Sequence, residues 1–415
     1  MGELAVAMRT LGCKVNRAEA ERVSMQLLGG GVRIVDEQEA SVVVVTTCTV
    51  TAEADRKARK AIRHALNLPQ KPVVVASGCL AAIDPESLAL LGERVVVETD
   101  TDAVAARVAA LLGTELGDTV AASRVGDAFR TRAVVKVEDG CDAFCAYCIV
   151  PYARGVPRST PLHDVVAEVA SLVDAGVAEV VLSGINIGRY ADERAGLPEL
   201  IEAATATGIR RLRISSIEPG DVDERFLAVA VASPAFCAHL HVPLQAGCDR
   251  TLTAMGRTYD TAAYAAVVAR VRDALPGAAI TTDVLTGFPG ESDADFEETL
   301  AFVEACGFSR LHVFRYSPRA GTTAAEMPEH VASRVKSERA RQLRALDARL
   351  RARFAQQSVG LNAEVLVERI GEDRNAEGTT REYLQVVLED VQCAEGDVVT
   401  VRLAGVERGR MTAAW

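Results

Sequence analysis

Three cysteines fall within eight residues, Cys141, Cys145 and Cys148, in the spacing C-x3-C-x2-C. A loop this short can wrap three thiolates around one face of an iron–sulfur cluster, which is ordinarily held by four. The other cysteines lie far away in sequence, so one iron would stay open to a ligand that is not protein. Two other readings share these residues: a zinc loop lacking its fourth ligand, and three buried core cysteines. Core cysteines seldom crowd so closely beside Gly140 and Asp142.

A second set is dispersed. Cys13, Cys48 and Cys79 each follow an apolar run: Leu4–Met8, Val42–Val45 and Pro72–Ala76. Such runs read as buried parallel strands. With Val95–Val97 and helical patterns over Asn16–Leu28, Thr51–Leu68 and Asp84–Leu91, they make a doubly wound α/β pattern across residues 1–115. In that architecture the C-terminal strand ends line up along one edge, where ligand sites form. Three cysteines at three strand ends should therefore converge, as a second three-ligand cluster site. Cys237, Cys248, Cys306 and Cys393 follow no ligand spacing and read as structural.

The Cys141 loop leaves a short strand at Ala133–Val137. Five more apolar runs follow, beginning at Ala178, Arg211, His239, Ala279 and Arg310. Six strand–helix units over residues 130–330 point to a parallel (β/α)6 barrel, incompletely closed, whose functional groups sit at the C-terminal strand ends. Polar clusters stand there, including Ser183–Asn186, Ser215–Glu218, Pro243–Gln245 and Thr286–Glu291. Gly184, Gly287 and Gly290 read either as turn glycines or as places where backbone approaches a ligand closely. Residues 113–130, including Ser123–Phe129, read as a linker.

Residues 331–354 form a helical run in which Arg339, Arg341, Arg344, Arg349 and Arg351 outnumber the acids. It reads either as a basic stripe or as a solvated helix face. Residues 355–415 alternate at period two over Ala363–Glu368, Tyr383–Leu388 and Asp397–Leu403, the mark of a small antiparallel barrel. Trp415 has no assigned role.

The chain has 415 residues, 49% of them hydrophobic, and a net charge of −11. That charge argues against a surface that grips nucleic acid everywhere, and leaves room for a local basic patch. No apolar run is long enough to span a bilayer, and the first residues do not form a signal peptide. A cytoplasmic protein without membrane attachment is expected. In that compartment ten cysteines argue for metal or catalysis rather than disulfides.

The ordered motifs resemble one family. They are Thr10–Asn16, Thr47–Thr51 with Glu53–Lys57, Gly78-Cys79, the three-cysteine loop followed by Ile149–Gly155, Ile214–Pro219, His241–Gly247 and Tyr316–Thr322. The C-x3-C-x2-C loop is similar to that of the radical S-adenosylmethionine (SAM) superfamily, and the set as a whole resembles the methylthiotransferases. The resemblance implies a [4Fe-4S] cluster on Cys141, Cys145 and Cys148 that cleaves SAM to a 5′-deoxyadenosyl radical. It implies a second [4Fe-4S] cluster on Cys13, Cys48 and Cys79 that presents sulfur. Tyr147, Gly184, Asn186, Ser216 and Gln245 become candidates to line SAM. The tail resembles a TRAM domain, a small RNA-binding barrel.

The wording around Cys13 and Cys48 is most similar to the branch that modifies threonylcarbamoyladenosine in tRNA. The branches acting on isopentenyladenosine in tRNA or on a ribosomal protein aspartate remain alternatives, as does a non-enzymatic iron–sulfur RNA-binding protein. Implied partners are the tRNA anticodon stem-loop, a sulfur source and an electron donor such as flavodoxin or ferredoxin. The tail and the basic helix are expected to hold the RNA while the target base turns into the barrel mouth. Two positions depart from the family pattern. Thr47 stands where Asn is usual, and Leu80-Ala81-Ala82 follows Cys79 where Tyr and Gln are usual.

Overall fold

The computed structural model describes residues 4–117, 131–372 and 374–414; most of the expected linker, and Trp415, lie outside them. Strands β1 (Ala5–Thr10), β2 (Arg33–Ile34), β3 (Val42–Thr47), β4 (Val73–Gly78) and β5 (Val95–Val97) form one parallel sheet in the order β2-β1-β3-β4-β5. Helix α1 (Lys14–Gly29) and the Val104–Leu112 helix cover one face through Val23, Leu27, Val104 and Val108. Helices α2 (Ala52–Leu66) and α3 (Cys79–Ile83) cover the other through Ala58, Ile62, Ala65 and Leu80. Valine-rich strands are stable here because both faces are buried. Edge strand β2, helix α3 and the Val104–Leu112 helix had no clear sequence signal. β2 and α3 are too short for periodicity, and the third helix is alanine-rich.

The second body is an arc of six parallel strands: β6 (Arg132–Lys136), β7 (Glu179–Ser183), β8 (Arg211–Ile214), β9 (His239–His241), β10 (Ala279–Thr286) and β11 (Arg310–Arg315). β8 and β9 join through the Leu212–Phe236 and Ser216–His241 bridges, and β6 and β11 do not pair, so the barrel is partial. Alternate side chains divide cleanly. Val135, Val180, Leu182, Leu212, Ile214, Leu240, Ile280 and Leu311 pack outward against the helices. The opposite face of the strands is mostly polar, with Arg132, Lys136, Glu179, Arg213, His239, His241, Asp283 and His312 beside Val134 and Val181. Within the lumen, His241 Nε2 and His312 Nδ1 lie 3.2 and 3.4 Å from Asp283 Oδ1. Burial disfavours the Asp283 carboxylate, but these two rings outweigh it and hold its pKa at about 2.

The third body is a closed antiparallel barrel with one parallel pairing, ordered β12-β13-β14-β16-β15. Its strands are β12 (Asn362–Ile370), β13 (Ala376–Thr380), β14 (Gln385–Leu388), β15 (Val398–Glu407) and β16 (Arg410–Ala414). β13 and β16 were not legible as strands; β13 is rich in glycine and threonine and β16 is short. This barrel docks on the N-terminal end of the larger one. Arg211 donates to Glu364 O and Thr379 O at 3.3 and 3.1 Å, and Arg213 donates to Arg381 O and Thr380 O at 2.9 and 3.2 Å. Tyr383 caps the base, stacked 4.6 Å from His239 beneath Arg213 and Arg132. The small barrel thus closes the end of the larger barrel opposite its C-terminal strand ends. No described helix is long and apolar enough to cross a membrane.

Candidate functional site

The order β2-β1-β3-β4-β5 reverses direction between β1 and β3, and ligands gather at such switch points. Cys13 follows β1 and caps α1, Cys48 follows β3, and Cys79 opens α3 directly after β4. The three lie within electrostatic reach of one another. Glycines allow the approach. Gly12 has φ +113°, and a Cβ there would stand 2.9 Å from Cys48 Cβ. Gly78 has φ +90°, and a Cβ there would meet Thr47 O at 2.6 Å.

Thr47, one of the two departures, is fully used. Its hydroxyl donates to Ser77 O at 2.6 Å and accepts from Ala81 N at 3.2 Å, which clamps α3 and so Cys79. Leu80 and Ala81, the other departure, are buried in the sheet's core. Asn16 braces the same corner, donating to Leu11 O and Thr47 O at 2.8 and 2.9 Å.

Cys141, Cys145 and Cys148 occupy the loop after β6 and likewise fall within reach of one another. The loop is fixed at several points. Cys141 N donates to Gly155 O at 3.0 Å, Ala146 N to Met255 O at 2.9 Å, and Ala324 N to Ala146 O at 2.7 Å. Burial pushes the Cys79 thiol up to about 11 and the Cys148 thiol up to about 12. These sites hold thiolate only when a positive centre compensates it. Among the described residues, the group of His, Cys, Asp or Glu ligand atoms lying within 4.8 Å of one another is His241, Asp283 and His312. Neither cysteine set is that tight.

Each set has a buried arginine that sequence reasoning missed. Arg154 Nε donates to Cys79 Sγ at 3.3 Å, and Arg257 Nη1 to Cys145 Sγ at 3.0 Å. Arg154 also pairs with Glu19 at 2.8 Å and Asp139 at 2.9 Å, and donates to Asn16 Oδ1 at 2.6 Å. Lys136 pairs with the same two carboxylates at 3.0 and 3.1 Å. Asp139 lies two residues before Cys141, so the ion network at Cys79 reaches the start of the Cys141 loop. Burial alone would raise the Asp139 pKa, but Arg154 and Lys136 outweigh it and hold it below the usual carboxylate range. Arg257 in turn is held by Glu218 and by the Tyr259 hydroxyl, 3.1 Å away.

Beside the Cys141 loop, Glu138 Oε2 accepts from Asn186 N at 2.8 Å. A Cβ at Gly184 would stand 2.6 Å from that oxygen, so the glycine makes room for Glu138. Glu138 Oε1, Ser183 Oγ and Asn186 Oδ1 are all buried without a partner. Three orphaned polar atoms on two neighbouring strand ends are costly unless a polar ligand satisfies them. Burial, and to a lesser degree Asp139, pushes the Glu138 carboxyl up to about 7. Ser216 and Gln245 lie at neighbouring strand ends, Gln245 with φ +70°. Tyr147 packs against the apolar cluster that includes Met255, Phe288 and Tyr316.

The arginines of the Ser333–Ser358 helix do not form one stripe. Arg339 is 4% exposed, bound to Glu291 at 3.2 Å and Asp293 at 2.7 Å, and unavailable to RNA. It falls on the inward line with Leu343, Leu346 and Leu350. Arg341 pairs with Glu338 and Arg349 with Glu304, while Arg351 lies 3.9 Å from Asp347. Arg344 lines the groove described below.

The radical SAM superfamily profile matches residues 135–303, and that of uncharacterized protein family UPF0004 matches residues 5–98. The chain is 35% identical to threonylcarbamoyladenosine tRNA methylthiotransferase of Bacillus subtilis, across 96% of this chain and 93% of that one. The chain belongs to the radical SAM methylthiotransferase family. The enzyme of the same name from Thermotoga maritima is 36% identical over 88% of this chain and 86% of its own. The tRNA-2-methylthio-N(6)-dimethylallyladenosine synthase of Novosphingobium aromaticivorans is 34% identical over 95% and 94%.

Among solved structures, the radical SAM methyltransferase TsrM from Kitasatospora setae aligns with a TM-score of 0.56 at 15% identity, covering 78% of this chain and 77% of that one. At that identity the likeness concerns the fold. Membership makes this methylthiotransferase an enzyme that uses SAM and two [4Fe-4S] clusters. The two convergent sets of three cysteines and the orphaned atoms around Glu138 fit those groups.

Proposed function

We propose that this methylthiotransferase acts on N6-threonylcarbamoyladenosine in the anticodon loop of tRNA, adding the methylthio group at C2. Cys141, Cys145 and Cys148 hold the SAM-cleaving cluster, and Cys13, Cys48 and Cys79 hold the sulfur-donating one. When bound, these groups supply the one-electron chemistry that breaks an unactivated C–H bond and the sulfur that replaces the hydrogen. The protein binds, orients and excludes water. Glu138 receives the SAM ammonium, with Ser183 and Asn186 as further polar contacts. Tyr147 offers a ring face to the adenine, and Gly184, Ser216 and Gln245 complete the rim. Arg154 and Arg257 direct positive charge at one cysteine of each set, which favours thiolate. A low-potential electron donor, a sulfur source and an RNA-binding role for the TRAM-like barrel complete this reading.

The observation that carries the choice of substrate is the polarity of the lumen. Lys14, next to Cys13, forms no ion pair among the described residues and lies within electrostatic reach of Arg132, Arg213, Glu179 and Tyr383. A threonylcarbamoyl group brings a carboxylate and a hydroxyl to such a lumen; an isopentenyl group brings only carbon, which gains nothing there. The names of the relatives in Bacillus subtilis and Thermotoga maritima support the same choice. Mass spectrometry of nucleosides from tRNA treated with the reconstituted enzyme tests it. The methylthio form of threonylcarbamoyladenosine is expected, and preferential conversion of isopentenyladenosine would overturn the substrate while leaving the chemistry.

A further inference from the structure

A groove of about 770 Å³ runs between the N-terminal sheet domain and the last barrel strand. Cys48 and Gly12 are among its lining residues, β11 and the segment after it (Phe314–Pro318) form one wall, and the N-terminal turn of α2 forms the other. Arg319 locks the two sides together, donating to Thr49 Oγ1 at 2.6 Å and Asp55 Oδ2 at 2.7 Å.

The lining carries Arg56, Lys57, Arg315, Lys336 and Arg344 against Glu53, in a chain whose net charge is −11. Lys57 pairs with Glu53 at 2.9 Å, and Lys336 is turned onto Tyr316. Among the described residues Arg56 and Arg344 form no ion pair, and Arg315 bonds the Ser337 hydroxyl alone, at 2.9 Å. Between these cations Phe314 is 41% and Val50 48% exposed.

We infer that this groove seats the single-stranded loop of the RNA substrate, its phosphates on Arg56, Lys57, Arg315 and Arg344 and a base against Phe314. The inference rests on the proposed function and names the surface it uses. Cations flanking an exposed aromatic ring are the two elements of single-strand recognition: charge follows the backbone, and every base has a face to stack. The volume suits one or two nucleotides rather than the face of a folded partner. Cys48 is among the residues lining the groove, so a base seated in it lies beside the proposed sulfur-donating site. It also answers a difficulty of the fold, because the TRAM-like barrel closes the base of the lumen, away from this entrance.

The test measures tRNA binding to the reconstituted full-length enzyme across a salt series. R56E/R344E should weaken binding at least tenfold and lower the salt slope by about 1.4, at about 0.7 for each single-strand phosphate no longer neutralised. Phe314→Ala should weaken binding about tenfold with the slope unchanged, since stacking is uncharged. R349Q/R351Q, on the distant part of the long helix, should match wild type. Thermal melting checks that each variant is folded. Unchanged affinity in folded R56E/R344E, or an equal loss in R349Q/R351Q, would overturn the inference while wild-type binding kept the substrate reading intact. Wild type that binds no tRNA would overturn both. If R56E/R344E instead lost reduction by an acidic electron-transfer protein while binding tRNA normally, the groove would belong to that donor and the inference would fall.

Discussion

Replacing Arg154 with Met would remove a cation from between Glu19, Asp139, Asn16 and Cys79, at a position 9% exposed. Among the described residues Lys136, 3.0 and 3.1 Å from the two carboxylates, would be the counter-charge left to them. Removing one partner of a buried ion pair costs about 3–5 kcal/mol, because the other charge stays buried. At about 2–4 °C per kcal/mol for domains of this size, the loss is roughly 6–20 °C in melting temperature. Arg154→Lys keeps the charge but not the planar fork, so acceptors at Asn16 and Cys79 would go unmet, at about 1–3 kcal/mol each.

The assay is anaerobic thermal melting with iron analysis. Arg154→Met should melt far lower and retain iron poorly at the Cys13, Cys48 and Cys79 site. Adding Asp139→Asn should recover part of the stability, with a coupling of about 0.5–3 kcal/mol. Because Arg154 and Lys136 hold Asp139 below its ordinary 3.8, its contribution is present at neutral pH and lost as pH falls through the folded value. The penalty of Arg154→Met should therefore shrink in acid. A variant that melts within about 2 °C of wild type and carries full iron would refute the account of this network.

Reconstituted wild type should carry about eight irons, as two four-iron clusters would. Triple Ala replacement of either cysteine set should remove about half, read by iron analysis. The Glu138 carboxyl, at about 7 against an ordinary 4.5, keeps a proton in the folded protein that the unfolded chain has released. Folding stability without SAM should therefore fall as pH rises from 4.5 to 7. SAM affinity should rise about tenfold per pH unit below 7 and then level, because the ammonium binds the carboxylate. Glu138→Gln should flatten that profile, and an unchanged profile would remove Glu138 from the SAM site. Tyr383→Ala should cost about 3–5 kcal/mol in chemical denaturation, by opening the base of the lumen, while Tyr383→Phe should cost much less.

The sequence made the six cysteines legible because their meaning is local: a strand end is visible in an apolar run, and strand ends converge in a doubly wound sheet. The arginines that serve those cysteines were not legible, since Arg154 reaches a cysteine 75 positions earlier and Arg257 one 112 positions earlier. Glu138 carried no signal in the sequence, because its burial arises only when Gly184 folds against it. Arg339 was misread as surface although it stands four residues before Leu343 on the line that continues through Leu346 and Leu350. That periodicity was available and pointed inward. The period-two pattern of the tail gave its barrel, but nothing in one strand says which end of another barrel it will cover.

The central claim is that the two cysteine sets divide the work, and one measurement tests it directly. The folded Cys13→Ala/Cys48→Ala/Cys79→Ala variant is given SAM, reductant and threonylcarbamoyladenosine-containing tRNA, and 5′-deoxyadenosine and methylthiolated nucleoside are quantified together. The account predicts that 5′-deoxyadenosine forms and the methylthio product does not. Loss of SAM cleavage in that variant, or persistence of the methylthio product, would contradict it.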